Sequence, residues 1–290
     1  MLFRVSNFLV MSVIPFWAAC AMEPATSTRT LELGESTLDR PGPADDAPVA
    51  QPSGARAPVP GGKQVGFYDM TFGTGQQYQL TPIVAAGGIA LGLGDVDAAS
   101  LAGLNVLWVN NQDNFGYGAE YVSRLPAIAA AVQNGMVLVI HDRFVTNAST
   151  ILPGGANFGI FRDFTEQADI NIRDASTVVT TGLDNASLDQ GTSSSHGFAL
   201  ANTLPASAKL ILSATTADHI VTFCYPVGKG AVIYSTIPLD FYLQGFGTNP
   251  PQAAMDNIYA PNVVKYALGG ACAGALTGPK PTPNARIDRR

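Results

Sequence analysis

His141-Asp142-Arg143 follows one unbroken apolar run, Met136–Ile140, and Asn110-Asn111-Gln112-Asp113 follows another, Asn105–Val109. An imidazole beside a carboxylate is the minimum equipment for moving a proton, so His141, Asp142 and Asp113 form a candidate acid–base set. Amide, guanidinium and carboxylate groups at the mouth of an apolar sheet also suit sugar hydroxyls. Asp69, Asn110, Asn111, Gln112 and Arg143 are therefore candidate ligand-binding residues. The plainer alternative is that strand ends are polar anyway and that their side chains cap the next element. On that view little of the core depends on them, and removing His141 leaves folding intact.

Two further segments carry such groups. In Gly191-Thr192-Ser193-Ser194-Ser195-His196-Gly197 a histidine stands beside a serine run. No G-x-S-x-G elbow is present, so the serines read as a flexible loop. His196 reads as a catalytic or ligand-binding candidate folding over the strand ends. In Ile237-Pro238-Leu239-Asp240-Phe241-Tyr242 an acid is flanked by aromatic rings. Asp240 and Tyr242 fit an edge on which a carbohydrate stacks, or a structural turn packed by aromatics. His219 opens an apolar run and reads as solvent-facing.

Other chemistries find no footing. The net charge of −6, without a basic run, argues against nucleic acid. No phosphate loop or dinucleotide fingerprint is present, and no cofactor is expected. Three scattered histidines and three distant cysteines give no zinc spacing, and 184–191 lacks the alternating oxygens of a calcium loop, so no metal is expected. Cys224 and Cys272 form one disulfide in an oxidising compartment, or Cys224, inside an apolar run, is a buried thiol.

The elements that must position these residues alternate between strand and helix. Gln64–Asp69, Ile89–Leu93, Asn105–Val109 and Met136–Ile140 read as strands. Gln76–Ala86 reads as a helix closed by Gly87-Gly88, and Glu120–Gln133, with Tyr121, Leu125, Ile128 and Val132 at helical spacing, as another. This rhythm predicts an α/β fold with an open, mostly parallel sheet flanked by helices. Leu210–Ser213 is a further strand. Ile220–Tyr225 and Ala231–Ser235 form a late hairpin across Pro226–Gly230, and Asn262–Leu268 a final helix.

Both ends differ from this core. Arg4, the apolar run Phe8–Trp17 and Ala18-Ala19 read as an export signal too short to span a bilayer. Cys20 then stands where a bacterial lipobox is lipidated, with Trp17 in place of the usual Leu. Residues 21–62 are rich in Pro, Ala, Ser and Gly and read as a disordered tether. Residues 271–290 read as a disordered tail, which leaves one domain over 63–270. The expected location is the outer membrane or cell surface if Cys20 is lipidated, and otherwise the periplasm or the outside. The only expected membrane contact is that lipid anchor.

Leu104–Val109, Gly135–Asp142, and above all Pro226-Val227-Gly228-Lys229-Gly230 with Ala231–Ser235, resemble the class I glutamine-amidotransferase-like fold, and within it the ThuA-like branch. The resemblance covers most of residues 63–270 through soft motifs. It implies a flavodoxin-like sheet and a link to carbohydrate. It departs from the family where it matters: no cysteine follows Met136–Ile140, and Cys224 lies inside a strand. Cysteine-based acyl transfer thus lacks its nucleophile. The expected function is a non-catalytic module of the envelope that binds a glycan or an envelope protein. The alternative is a carbohydrate-active or other hydrolase using the acidic and histidine residues at the strand ends.

Overall fold

The computed structural model describes residues 62–273. The expected export signal, Cys20, nearly all of the expected tether and most of the expected tail lie outside the described residues. The described elements begin with β1 (Gln64–Asp69), α1 (Leu80–Ala85), β2 (Ile89–Gly92), β3 (Val106–Asn111), α2 (Ala119–Gln133) and β4 (Val137–Asp142). Three short strands follow, β5 (Ile160–Arg162), β6 (Asn171–Ile172) and, after α3 (Asn185–Leu188), β7 (Gly197–Leu200). The chain closes with β8 (Lys209–Ser213), β9 (His219–Val227), β10 (Gly230–Ser235), α4 (Leu239–Leu243), α5 (Pro251–Ala254) and α6 (Ala260–Leu268).

The strands form one open sheet in the order β2-β1-β3-β4-β10-β9-β7-β5, with β8 also paired to β9 and β6 to β8. It is parallel from β2 to β10 and antiparallel beyond. This is the expected α/β class. The late hairpin is β9–β10, closed by Gly228-Lys229 between the paired Val227 and Gly230. Gly228 takes a φ of +59° there, a conformation that favours glycine at the first turn position.

The central strands are apolar on both sides because helices cover both. Val65, Phe67, Val106, Trp108, Val137, Val139, Ala231 and Ile233 pack with Val263, Val264 and Ala267 of α6. Leu107, Val109, Leu138, Ile140, Val232 and Tyr234 pack with Tyr121, Ile128 and Val132 of α2. Each fully buried branched side chain contributes about 1.5–3 kcal/mol. The alternation has period two, so it also fixes the face taken by every polar residue at the strand ends.

Cys224 and Cys272 are joined by a disulfide. Ala271, Cys272 and Ala273 pack against the core. The expectation of a disordered tail from residue 271 is corrected here, because the bond holds that stretch on β9. At the amino edge of the sheet, the Lys63 ammonium just before β1 donates to the carbonyl of Leu268 at the end of α6. Gly62 and the end of α6 thus lie at the amino ends of the parallel strands.

Candidate functional site

Backbone register aligns a row of polar residues across five strands. Asp69 pairs with Asn110, Asn110 with His141, His141 with Ser235, and Ser235 with Thr222. Directly opposed residues share a face, and by the alternation above it is the face covered by α6. The row begins between β1 and β3, where the chain order reverses, β2 lying on one side of β1 and β3 on the other. Open α/β sheets bind ligands in that crevice, at the carboxyl ends of the strands.

At the crevice the row is tied into a network around Tyr78. The Tyr78 hydroxyl donates to Asp69 Oδ2 at 2.7 Å and accepts from Gln112 Nε2 at 2.9 Å and Asn110 Nδ2 at 3.3 Å. Trp108 Nε1 donates to Asn110 Oδ1, the Thr71 N–H to Asp69 Oδ1, and Gln244 Nε2 to Gln112 Oε1. Tyr78 and Gln244 were not among the sequence-level candidates, since each falls between recognisable motifs. Burial pushes the Asp69 carboxyl up to about 7; its hydrogen bonds oppose the rise and the nearby Asp240 carboxylate adds to it.

An aspartate whose folded pKa exceeds its unfolded value takes up a proton on folding. Its contribution to stability is full below about pH 4 and is lost as pH rises through about 7. Asp69→Asn removes that dependence. Urea titrations are expected to show the wild-type-minus-variant difference falling between pH 4 and 7 by up to ~1.4 kcal/mol per pH unit. A pH-independent difference overturns this assignment.

His141 does not join the Asp69 network. Its Nε2 lies 3.3 Å from the Tyr259 hydroxyl, which also meets Thr222 Oγ1 and Ser235 Oγ. Its ring stands edge-on to Trp108 and Tyr259. Burial lowers the His141 pKa to about 3, so the ring is neutral. The expectation that His141 is dispensable for folding is corrected, because its side chain is fully inside the α6 layer. His141→Ala is expected to lose about 2–4 kcal/mol at pH 7 in chemical denaturation, from the cavity and the orphaned hydroxyl. That loss shrinks as pH falls from about 6.5 towards 3, where the wild type must protonate a buried ring.

Asp142 and Asn111 are paired in register on the opposite face. Asp142 accepts from Asn111 Nδ2 at 3.1 Å, the Phe144 N–H at 3.0 Å, and the Tyr117 and Tyr234 hydroxyls at 2.8 Å each. Burial raises its pKa, and those bonds oppose the rise. Asp113 makes a local turn instead, accepting from the Phe115 N–H at 2.8 Å. His141 and Asp142 therefore face opposite sides of the sheet, and no acid–base pair forms between them.

Arg143 and Asp240 form a buried ion pair. Tyr242 is buried and its hydroxyl meets Ser194 Oγ at 3.2 Å. The expected stacking edge at Asp240 and Tyr242 is corrected: both residues are inside the protein and offer a ligand no face. His196 does fold over the strand ends. Its Nδ1 lies 2.7 Å from the Arg143 carbonyl and its Nε2 lies 2.8 Å from Ser193 Oγ. Asp69, Asp113, His141 and His196 thus sit in four separate bonding groups.

What the same edge exposes is aromatic. Phe72 follows β1 and is 44% exposed, Phe115 follows β3 at 76%, Phe164 follows β5 at 39%, and Phe246 follows α4 at 49%. Arg162 ties part of this rim together. Its Nη1 donates to the carbonyls of Asn114 and Phe144 at 2.8 and 2.9 Å, and its guanidinium lies 5.8 Å from the Phe144 ring centre and 5.0 Å from that of Phe164. Tyr117 meets Phe144 edge-on. Phe241, beneath the Arg143 guanidinium, touches Phe246.

No family model and no curated protein matches the sequence. Among solved structures, the chain is similar to two cytoplasmic proteins of Salmonella typhimurium. One is 9% identical at a TM-score of 0.48, over 71% of this chain and 99% of that one. The other is 10% identical at 0.46, over 70% and 97%. It is also similar to part of a β-galactosidase from Rahnella sp. R3, 13% identical at 0.40, over 71% of this chain and 31% of that enzyme. At such identities and TM-scores these likenesses carry no argument about function, which rests on the site itself.

Proposed function

We propose that the chain is an exported binding module that takes a glycan on the aromatic rim at the carboxyl ends of its parallel strands. One observation carries this reading: Asp69, Asn110, Asn111, Gln112, His141 and Asp142 at the strand ends are buried within hydrogen-bonded groups, while four phenylalanines around the same edge stand open to solvent. Apolar rings set beside polar loops suit the alternating faces of a sugar. The parallel order and the β9–β10 hairpin fit the amidotransferase-like resemblance, which implies a link to carbohydrate. No reaction is assigned to His141, Asp142 or Asp113. The acid–base hydrolase remains the second reading. Its support is Asp69, a carboxyl that titrates near neutrality at the crevice.

A glycan array probed with the wild-type chain tests the proposal. Binding to at least one glycan class is expected, with Phe115→Ala and Phe164→Ala each weakening it about tenfold. Phe115 is largely exposed, so its variant should melt with the wild type. A blank array, or binding that survives both substitutions, overturns the assignment. Capture of a protein partner through the same two rings would replace glycan with protein.

A further inference from the structure

The loop Gly191–His196 lies outside the polar row and meets the exposed rim only where Phe164 packs on His196. Within it Ser193 Oγ lies 2.8 Å from His196 Nε2, and His196 Nδ1 lies 2.7 Å from the Arg143 carbonyl. A carbonyl oxygen only accepts, so Nδ1 carries the hydrogen and Nε2 offers a lone pair to the serine. The tautomer that can take a proton from Ser193 is therefore set by the backbone end of β4.

The surrounding bonds hold this geometry. The Gly191 N–H donates to the Ala168 carbonyl, the Ser194 N–H to Gln167 and the His196 N–H to Thr236, each at 2.9 Å. Both ends of the loop are thereby fixed on neighbouring backbone before any substrate arrives, as preorganised chemistry requires. His196 is fully buried, whereas Ser193 keeps a 5% opening to solvent. The half-exposed Phe164 ring stands edge-on to His196, 5.0 Å between centres, and gives the base an apolar neighbour.

We propose that Ser193 is a nucleophile with His196 as its base and the Arg143 carbonyl as the group that orients the base, and that the pair cleaves carboxylic esters with small acyl groups. This goes beyond the binding reading and does not rest on it. Ser193 Oγ bonds to the acyl carbon while its proton passes to His196 Nε2. The ester C–O bond then breaks, and the leaving alcohol takes the proton from Nε2. Water attacks the acyl-serine next, losing a proton to Nε2. The C–Oγ bond breaks, Ser193 recovers the proton, and the carboxylic acid departs. The balance is ester plus water to acid plus alcohol, with no further co-reactant.

The base is weak. Burial, then the charge of Arg143 and more distantly of Arg162, lowers the His196 pKa to about 3, against a hydrogen bond to the Arg143 carbonyl that raises it. A weak base takes the proton reluctantly, so turnover should be slow. It also stays unprotonated in mild acid, so the acid limb of the rate profile should fall near pH 3–4, well below that of an ordinary histidine.

The test incubates the full chain with a fluorophosphonate and, separately, with p-nitrophenyl acetate. Intact mass and peptide mapping are expected to show one adduct, on Ser193, and none when the chain is unfolded in urea before the probe is added. Ester hydrolysis should exceed buffer at least tenfold. Ser193→Ala should abolish both while still unfolding cooperatively in urea, and Thr192→Ala, at the exposed neighbour, should keep both. An unlabelled wild type, an adduct elsewhere, or labelling that survives Ser193→Ala overturns the proposal. Labelling of the wild type needs no variant to fold, and it is scored independently of glycan binding by the Phe115 variant.

Discussion

Asp142→Ala is expected to cost about 3–5 kcal/mol of folding free energy, the largest loss from any single strand-end substitution. The carboxylate collects four donors, from Asn111, the Phe144 backbone, Tyr117 and Tyr234. Deleting it leaves them facing one another around a hole. Each unpartnered buried donor costs about 1–3 kcal/mol, reduced where water enters. Asp142→Asn keeps the volume and one strong acceptor, so it should cost less than half as much. Urea denaturation followed by circular dichroism measures both. A domain of this length should melt about 10 °C lower in the alanine variant. A loss under 1 kcal/mol would show that the two tyrosines find other partners.

Breaking the Cys224–Cys272 bond should cost almost as much. The two cysteines are 48 residues apart, and closing a loop of that size in the unfolded chain is worth about 4 kcal/mol in the chain-entropy model. The bond also pins Ala271–Ala273 against the core beside β9. Thermal melts with and without reductant, and of Cys272→Ser, are expected to show the same drop of roughly 10 °C. An unchanged melting temperature in reductant would mean that the bond adds nothing to the stability of the fold.

How much of this was legible depends on which residues are considered. β3, β4 and β10 stand out because both faces are buried, which leaves unbroken apolar runs, and Gly228 marks the hairpin between β9 and β10. β5, β6 and β7 have three, two and four residues, too short for any period to show, and they are held by partners distant in sequence. The list of polar strand ends was readable, but not which of them meet. Parity could have separated His141 from Asp142, because Val137 and Val139 share a face with His141 whereas Leu138 and Ile140 share one with Asp142. The row from Asp69 to Thr222 needs the register between strands, which no local pattern encodes.

The rim left a signal that periodicity ignores. Phe72-Gly73, Phe115-Gly116 and Phe246-Gly247 place a large ring beside a glycine in a turn, where neither helix nor strand can carry it inward. The Ser193–His196 contact had no such mark. It depends on the loop being laid across Thr236 and Arg143, residues 40 or more positions away from it.

The Lys63–Leu268 bond makes the domain a polar object. Gly62 stands at one pole, and the phenylalanines crown the other. A donor–acceptor dye pair placed at residues 62 and 269 would therefore transfer energy efficiently in the folded chain and lose that transfer on unfolding.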